Sequence, residues 1–122
     1  MDKAQCLHQF WSSFGLTAYD ENTVPDSAAL PYITYEVSQS SIDEPVTTYA
    51  SLWYRSTSWA AISQKVDQIG ERIGIGGVTL LYEDGLMWVN RGFPFSQRMG
   101  EPSDPAIRRI LINVSIEYLS ED

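Results

Sequence analysis

The chain has 122 residues and 13.8 kDa, and its sixteen acidic against eight basic side chains give a net charge of −8. That length fits one domain spanning residues 1–122, able to bury roughly two-thirds of its unfolded surface around a single core. The acidity argues against a nucleic-acid-binding surface, which needs clustered Lys and Arg to displace counterions, and a lone cysteine, Cys6, excludes an intrachain disulfide.

No apolar run approaches about 18 residues and no basic leader precedes one, so neither a membrane span nor a signal peptide is expected, and synthesis is expected in a cytoplasm. Asp2, with Gln5 three residues on, can cap a first helix whose stripe is Ala4, Leu7, Trp11 and Phe14 with Phe10 beside it. Gly15 is expected to end it. From Thr17 to Pro31 the turn-forming residues predict an ordered connection without a helix. Tyr32–Val37 reads as a strand. The polar segment Ser38–Pro45, which holds Ile42, Asp43 and Glu44, reads as a mobile loop leading antiparallel into the next strand.

Val46–Tyr54 is rich in β-branched and aromatic residues, the composition of a central strand with groups on both faces. Ser56, Thr57 and Ser58 offer hydroxyl caps, and Trp59, Ile62, Val66, Ile69 and Ile73 then form one stripe of an amphipathic helix. Such a stripe must lie on a sheet, and the preceding strand is the nearest one. Gly74–Gly77 breaks the helix. Val78–Tyr82 and Leu86–Arg91 flank Glu83-Asp84-Gly85, a hairpin signal in which Gly85 is expected to supply a positive φ. Gly92–Pro105, with three prolines and the aromatic pair Phe93 and Phe95, reads as a fourteen-residue loop. Ile107–Leu119 alternates cleanly, with Ile110, Ile112, Val114 and Ile116 on one side. The predicted class is α+β, a mixed, largely antiparallel sheet of about five strands with two helices packed on it, in the order α-β-β-α-β-β-β.

No catalytic, cofactor-binding or metal-binding constellation emerges, and an enzyme is not expected. The acidic pairs sit in predicted turns, where carboxylates serve local hydrogen bonding. His8 has no partner in the sequence. Gly74-Ile75-Gly76-Gly77 leaves a helix and enters a strand, the reverse of a phosphate loop, so it reads as a helix cap. Asn113-Val114-Ser115 matches a glycosylation sequon but lies inside a predicted strand, and is discounted. Contact chemistry is better represented. Four Trp, seven Tyr and four Phe exceed what a core of this size hides, and aromatic side chains favour interfaces. Arg55 covers an aromatic face, pairs with a loop carboxylate, or contacts another subunit. Arg91, Arg98, Arg108 and Arg109 cluster around the long loop, and a positive edge meeting a negative edge of the next copy gives head-to-tail contacts that close into rings. The candidate subunit or partner contacts are Ile42, Asp43, Glu44, Arg55, Arg91, Phe93, Phe95, Arg98 and Met99.

The block Pro31-Tyr32-Ile33-Thr34-Tyr35-Glu36, then Leu52-Trp53-Tyr54-Arg55-Ser56-Thr57-Ser58-Trp59, the amphipathic helix and the Asp-Gly hairpin resemble the tail-terminator (tail-completion, minor capsid) proteins of long-tailed bacteriophages. The likeness runs from Pro31 to the end. It implies a structural virion protein at the tail end or neck, without enzymatic activity or cofactor. Such a protein assembles as a hexameric ring on the tail tube, ends tube polymerisation and joins tail to head. The implied partners are copies of itself, the tail tube protein and a head-completion (neck) protein, with DNA only passing through the channel and no membrane. The alternatives are another neck component, an adaptor or stopper, and, from a different class, an acidic immunity protein that blocks a basic toxin nuclease by presenting carboxylates in place of phosphates.

Overall fold

The computed structural model describes residues 1–37, 45–100 and 104–120. Among these the chain forms α1 (Lys3–Ser12), β1 (Thr17–Asp20), β2 (Tyr32–Tyr35), β3 (Val46–Arg55), α2 (Ala60–Ile73), β4 (Val78–Tyr82), β5 (Gly85–Met99) and β6 (Ile107–Ser120). The strands make one sheet in the order β1-β2-β3-β6-β5-β4, with β1 parallel to β2 and every other pair antiparallel. The α+β class and the two helices agree with the sequence reading. The sheet is wider than expected, with six strands among the described residues instead of about five, because Thr17–Asp20 inside the expected connection is itself a strand.

The helix starts follow from local hydrogen bonding. Asp2 Oδ1 accepts from the Gln5 amide at 2.8 Å while Gln5 Oε1 accepts from the Asp2 amide at 2.9 Å, a complete capping box. Ahead of α2 the expected hydroxyl caps lie one and three residues before the capping position. Ser56 Oγ accepts from the Ser58 amide and Ser58 Oγ from the Ala60 amide, bracing the strand-to-helix bend, while the capping position itself is Trp59, which makes no side-chain cap. Gly74 closes α2 with its amide donating to the Gly70 carbonyl and turns the chain out of the helix at φ 74° and ψ 175°, a backbone open mainly to glycine.

Both helices lie on one face of the sheet. Along β6, Ile110, Ile112, Val114, Ile116 and Tyr118 are buried in alternation, and Ile33, Ala50, Leu52, Met87 and Val89 continue that face across the neighbouring strands. Leu7, Phe10 and Trp11 of α1 and Ile62, Ile69 and Ile73 of α2 close the core over it. The sequence reading laid α2 on the strand just before it; in the structure α2 rests on β5 and β6 as well as on β3.

Two further expectations are corrected. Gly85 is not a positive-φ residue: it opens β5 opposite Tyr82, and Glu83 and Asp84 make the two-residue turn. Gly92–Met99, read as loop, belongs to β5 and pairs with β6 as far as Met99, opposite Arg109. Register explains why. Arg91 faces Val114 and Ser96 faces Ile112, so the four residues Gly92, Phe93, Pro94 and Phe95 stand opposite Asn113 alone. A bulge of that size resets the two-residue alternation and hides the strand from pattern reading.

Candidate interaction surface: the open sheet face and the bulge of β5

The face away from the helices carries side chains of the opposite parity. Tyr32, Trp53, Arg109 and Met99 stand in one row across β2, β3, β6 and β5, and Tyr19, Thr34, Ser51, Leu111 and Gln97 in the next. Aromatic and cationic groups of the two rows meet in a chain. Tyr19 meets Tyr32 edge-on at 5.6 Å, Tyr32 meets Trp53 at 6.4 Å, and the Arg109 guanidinium lies 4.6 Å from the Trp53 ring centroid. Trp53 Nε1 donates to Thr34 Oγ1 at 2.9 Å and Arg109 Nε to Ser51 Oγ at 3.2 Å, so the indole and the guanidinium each find a polar partner within the face. Nearby, the Tyr49 hydroxyl donates to both Glu21 carboxylate oxygens at 2.9 Å, and this bond, followed by burial, raises its pKa. Met99 is among the contacts expected from the sequence, Arg109 among its clustered arginines, and Tyr32, Thr34 and Trp53 belong to the blocks that carry the resemblance, but their meeting on one face is not expected there. The available signal was the parity of Trp53, one residue off the buried Leu52.

The bulge of β5 rises from this same face. Asn113 Nδ2 donates to the Pro94 carbonyl at 2.9 Å and to Gln97 Oε1 at 3.3 Å, and Gly92 sits so close that a Cβ there would lie 2.8 Å from Asn113 backbone atoms. The bulge is thus pinned at both ends, and it holds Phe93 at 102 % exposure, entirely outside its own fold. Phe95 turns the other way. It is half-buried against the core, its ring edge 3.3 Å from the Cβ position of Gly70, and Arg91 stands 5.7 Å above it while donating to the Gly70 carbonyl at 2.6 Å.

The arginines gather at one end of the strands. Arg55 reaches Asp104 at 3.2 Å, and the Ala106 amide, then Arg55, hold that carboxyl below its usual range. Arg98 and Arg108 lie 4.7 and 5.2 Å from the centroid of the same ring, Trp59, with Arg108 also donating to the Pro105 and Thr57 carbonyls. Met99 lies level with Arg109. The opposite end carries Glu83 and Asp84 in the β4–β5 turn, Glu117 on β6, and Asp2 beside the Met1 ammonium that binds Glu83 at 3.0 Å. The structure therefore brings Arg55, Arg98 and Met99 together at one end, places Arg91 and Phe93 at mid-strand, and leaves Phe95 inside. Ile42, Asp43 and Glu44 lie outside the described residues.

Cys6 is buried, which raises its pKa, and its Sγ donates to the Leu81 carbonyl at 3.6 Å. Among the described residues no three His, Cys, Asp or Glu side chains gather in a way that could hold a metal ion, and no helix is long and apolar enough to cross a membrane.

No family model matches the sequence, and no curated protein does. The fold does have a counterpart: a chain from the virion of a native gene transfer agent (GTA) particle superposes with a TM-score of 0.64 at 13% sequence identity, over 95% of this chain and 93% of that one. At that identity the likeness is one of fold, and it extends over nearly the whole of both chains.

Proposed function

We propose that this chain is a structural subunit of a phage-type virion and serves as its tail terminator, closing the tail tube as a ring and joining tail to head. The observation that carries the reading is the end-to-end fold likeness to a chain of a virion particle, joined to the sequence resemblance over Pro31–Glu36 and Leu52–Trp59. The surface suits the role. It offers satisfied, stacked aromatic groups, an exposed Phe93 and charge separated end to end, the features of a part that works by fitting neighbours. The subunit contacts are assigned to Arg55, Arg91, Phe93, Arg98 and Met99, with the tail tube protein and a neck protein as partners and six copies in the ring. Net acidity keeps passing DNA from sticking to such a ring.

The test is electron microscopy of the purified chain added to tubes of the tail protein from the same particle. Capped tubes of fixed length, with a ring of density at one end, are expected. Tubes that continue to lengthen and carry no terminal density would exclude the role, and specific binding to a basic nuclease would favour the immunity-protein alternative.

A further inference from the structure

β4 is an outer strand of the sheet, and its free edge carries backbone groups that the fold does not use. Tyr82 and Gly85 flank the two-residue turn as a hydrogen-bonded pair, so Leu80 and Val78 also exchange bonds with β5, while Thr79 and Leu81 turn their amides and carbonyls away from the sheet. Two groups on this outward line agree with that parity: the Leu81 carbonyl accepts from Cys6 Sγ at 3.6 Å, and the Glu83 amide donates to the Met1 carbonyl at 2.9 Å. The Thr79 amide and carbonyl and the Leu81 amide have no partner among the described residues.

Proteins keep such an edge from pairing with charged residues, prolines, bulges or a cover. Val78–Tyr82 holds no charged residue and no proline, its register with β5 is unbroken, and Leu81 is 72% exposed. The other edge is closed. The Glu21 amide donates to the Tyr35 carbonyl, so on β1 it is Ala18 and Asp20 that turn outward; Ala18 is buried, and the Asp20 carbonyl accepts from the Thr23 amide at 2.9 Å. Beside the open groups of β4 runs a groove of about 390 Å³, lined by Gln9, Phe10 and Ser13 on the helix side and by Thr79, Leu80 and Leu81 on the strand side. It is pinched where Cys6 meets the Leu81 carbonyl and opens toward Thr79.

We propose that β4 receives an extended peptide arm of a different protein, which enters from the Thr79 end and adds to the sheet as one more strand. Hydrogen bonding selects the occupant: only extended backbone presents donors and acceptors at the repeat that the Thr79 and Leu81 groups require. The strands of a second copy do not supply it. Its β2, β3, β5 and β6 are paired on both sides, its β1 is closed, and its β4 carries its own α1 along the edge. Alternation fixes the arm's chemistry as well, with an apolar side chain opposite Leu80 entering the groove beside Phe10 and its neighbour in the strand covering Leu81. This inference is independent of the terminator reading.

The test is amide exchange measured by NMR on the full chain, with and without short peptides selected on it from a random displayed library, Thr79→Pro serving as the counter-selection. That variant removes an amide outside the ladder, which an edge strand tolerates; if it does not fold, Gln9→Trp, which fills the groove from the exposed face of α1, replaces it. In the free chain the Thr79 and Leu81 amides should exchange rapidly beside protected Leu80 and Tyr82 amides. A selected peptide at about ten times its Kd should slow the Thr79 and Leu81 amides about tenfold and should not bind the variant. Thr79 and Leu81 amides already protected in the dilute free chain would overturn the proposal, as would a library that yields no peptide able to tell the wild type from the variant. Protection that rises with the concentration of the chain alone would put a second copy on the edge and overturn the arm.

Discussion

Gly92 shows how much the bulge depends on one missing methyl group. In Gly92→Ala the new Cβ would press on the Asn113 carbonyl and Cβ at 2.8 Å, in a sheet interior with no flexible side chain to yield. The expected cost is about 1–3 kcal/mol, read as a lower urea midpoint. Tyr118 makes the second prediction at this scale. Its ring is fully buried on the core face, and burial first, then Tyr82 and Cys6, push its pKa from 10.0 up to about 12. The unfolded chain therefore ionises first. Stability held below pH 10 should be lost as pH rises from 10 toward 12, and Tyr118→Phe, which cannot ionise, should remove that share of the decline in urea midpoints measured across the range.

Among the elements, those whose stabilising groups are close in sequence were legible. The Asp2–Gln5 capping box of α1, the Ile62–Val66–Ile69–Ile73 stripe of α2 and the alternation of β6 could each be read from residues a few positions apart. Asp2→Ala should cost about 1 kcal/mol, measured by urea unfolding, with helix content nearly unchanged because the apolar face of α1 stays buried. The elements that escaped depend on distant partners. β1 is four residues long and exists because Thr17–Asp20 finds β2 in parallel, a pairing across a connection that turn chemistry alone describes as irregular. The second half of β5 carries Gly92, Pro94 and a broken alternation, and is a strand only because β6 supplies a ladder. The proposed contact residues divide the same way. Arg55, Phe93 and Arg98 stood out by their position in punctuated segments, whereas the Tyr19–Tyr32–Trp53–Arg109 stack needs four strands in register before it exists.

For the molecule as a whole, charge is distributed along the strand axis, with Arg55, Arg98, Arg108 and Arg109 at one end and Glu83, Asp84 and Glu117 at the other. The proposed contacts between unlike ends would be exposed and therefore screened, because the Debye length shrinks from about 10 Å at 0.1 M salt to about 3 Å at 1 M. Self-association followed by sedimentation should weaken over that range, while the thermal midpoint of the monomer, set by an apolar core, should move little. The four residues facing Asn113 bear on how such a subunit can diversify. Because Arg91 pairs with Val114 and Ser96 with Ile112 on either side of the interruption, substitutions confined to Phe93 and Pro94 should leave both ladders in register, whereas Gly92, set against Asn113, and Phe95, half-buried against the core, are tied to the interior. Only the crest of the bulge is free to be rewritten without touching the folded interior.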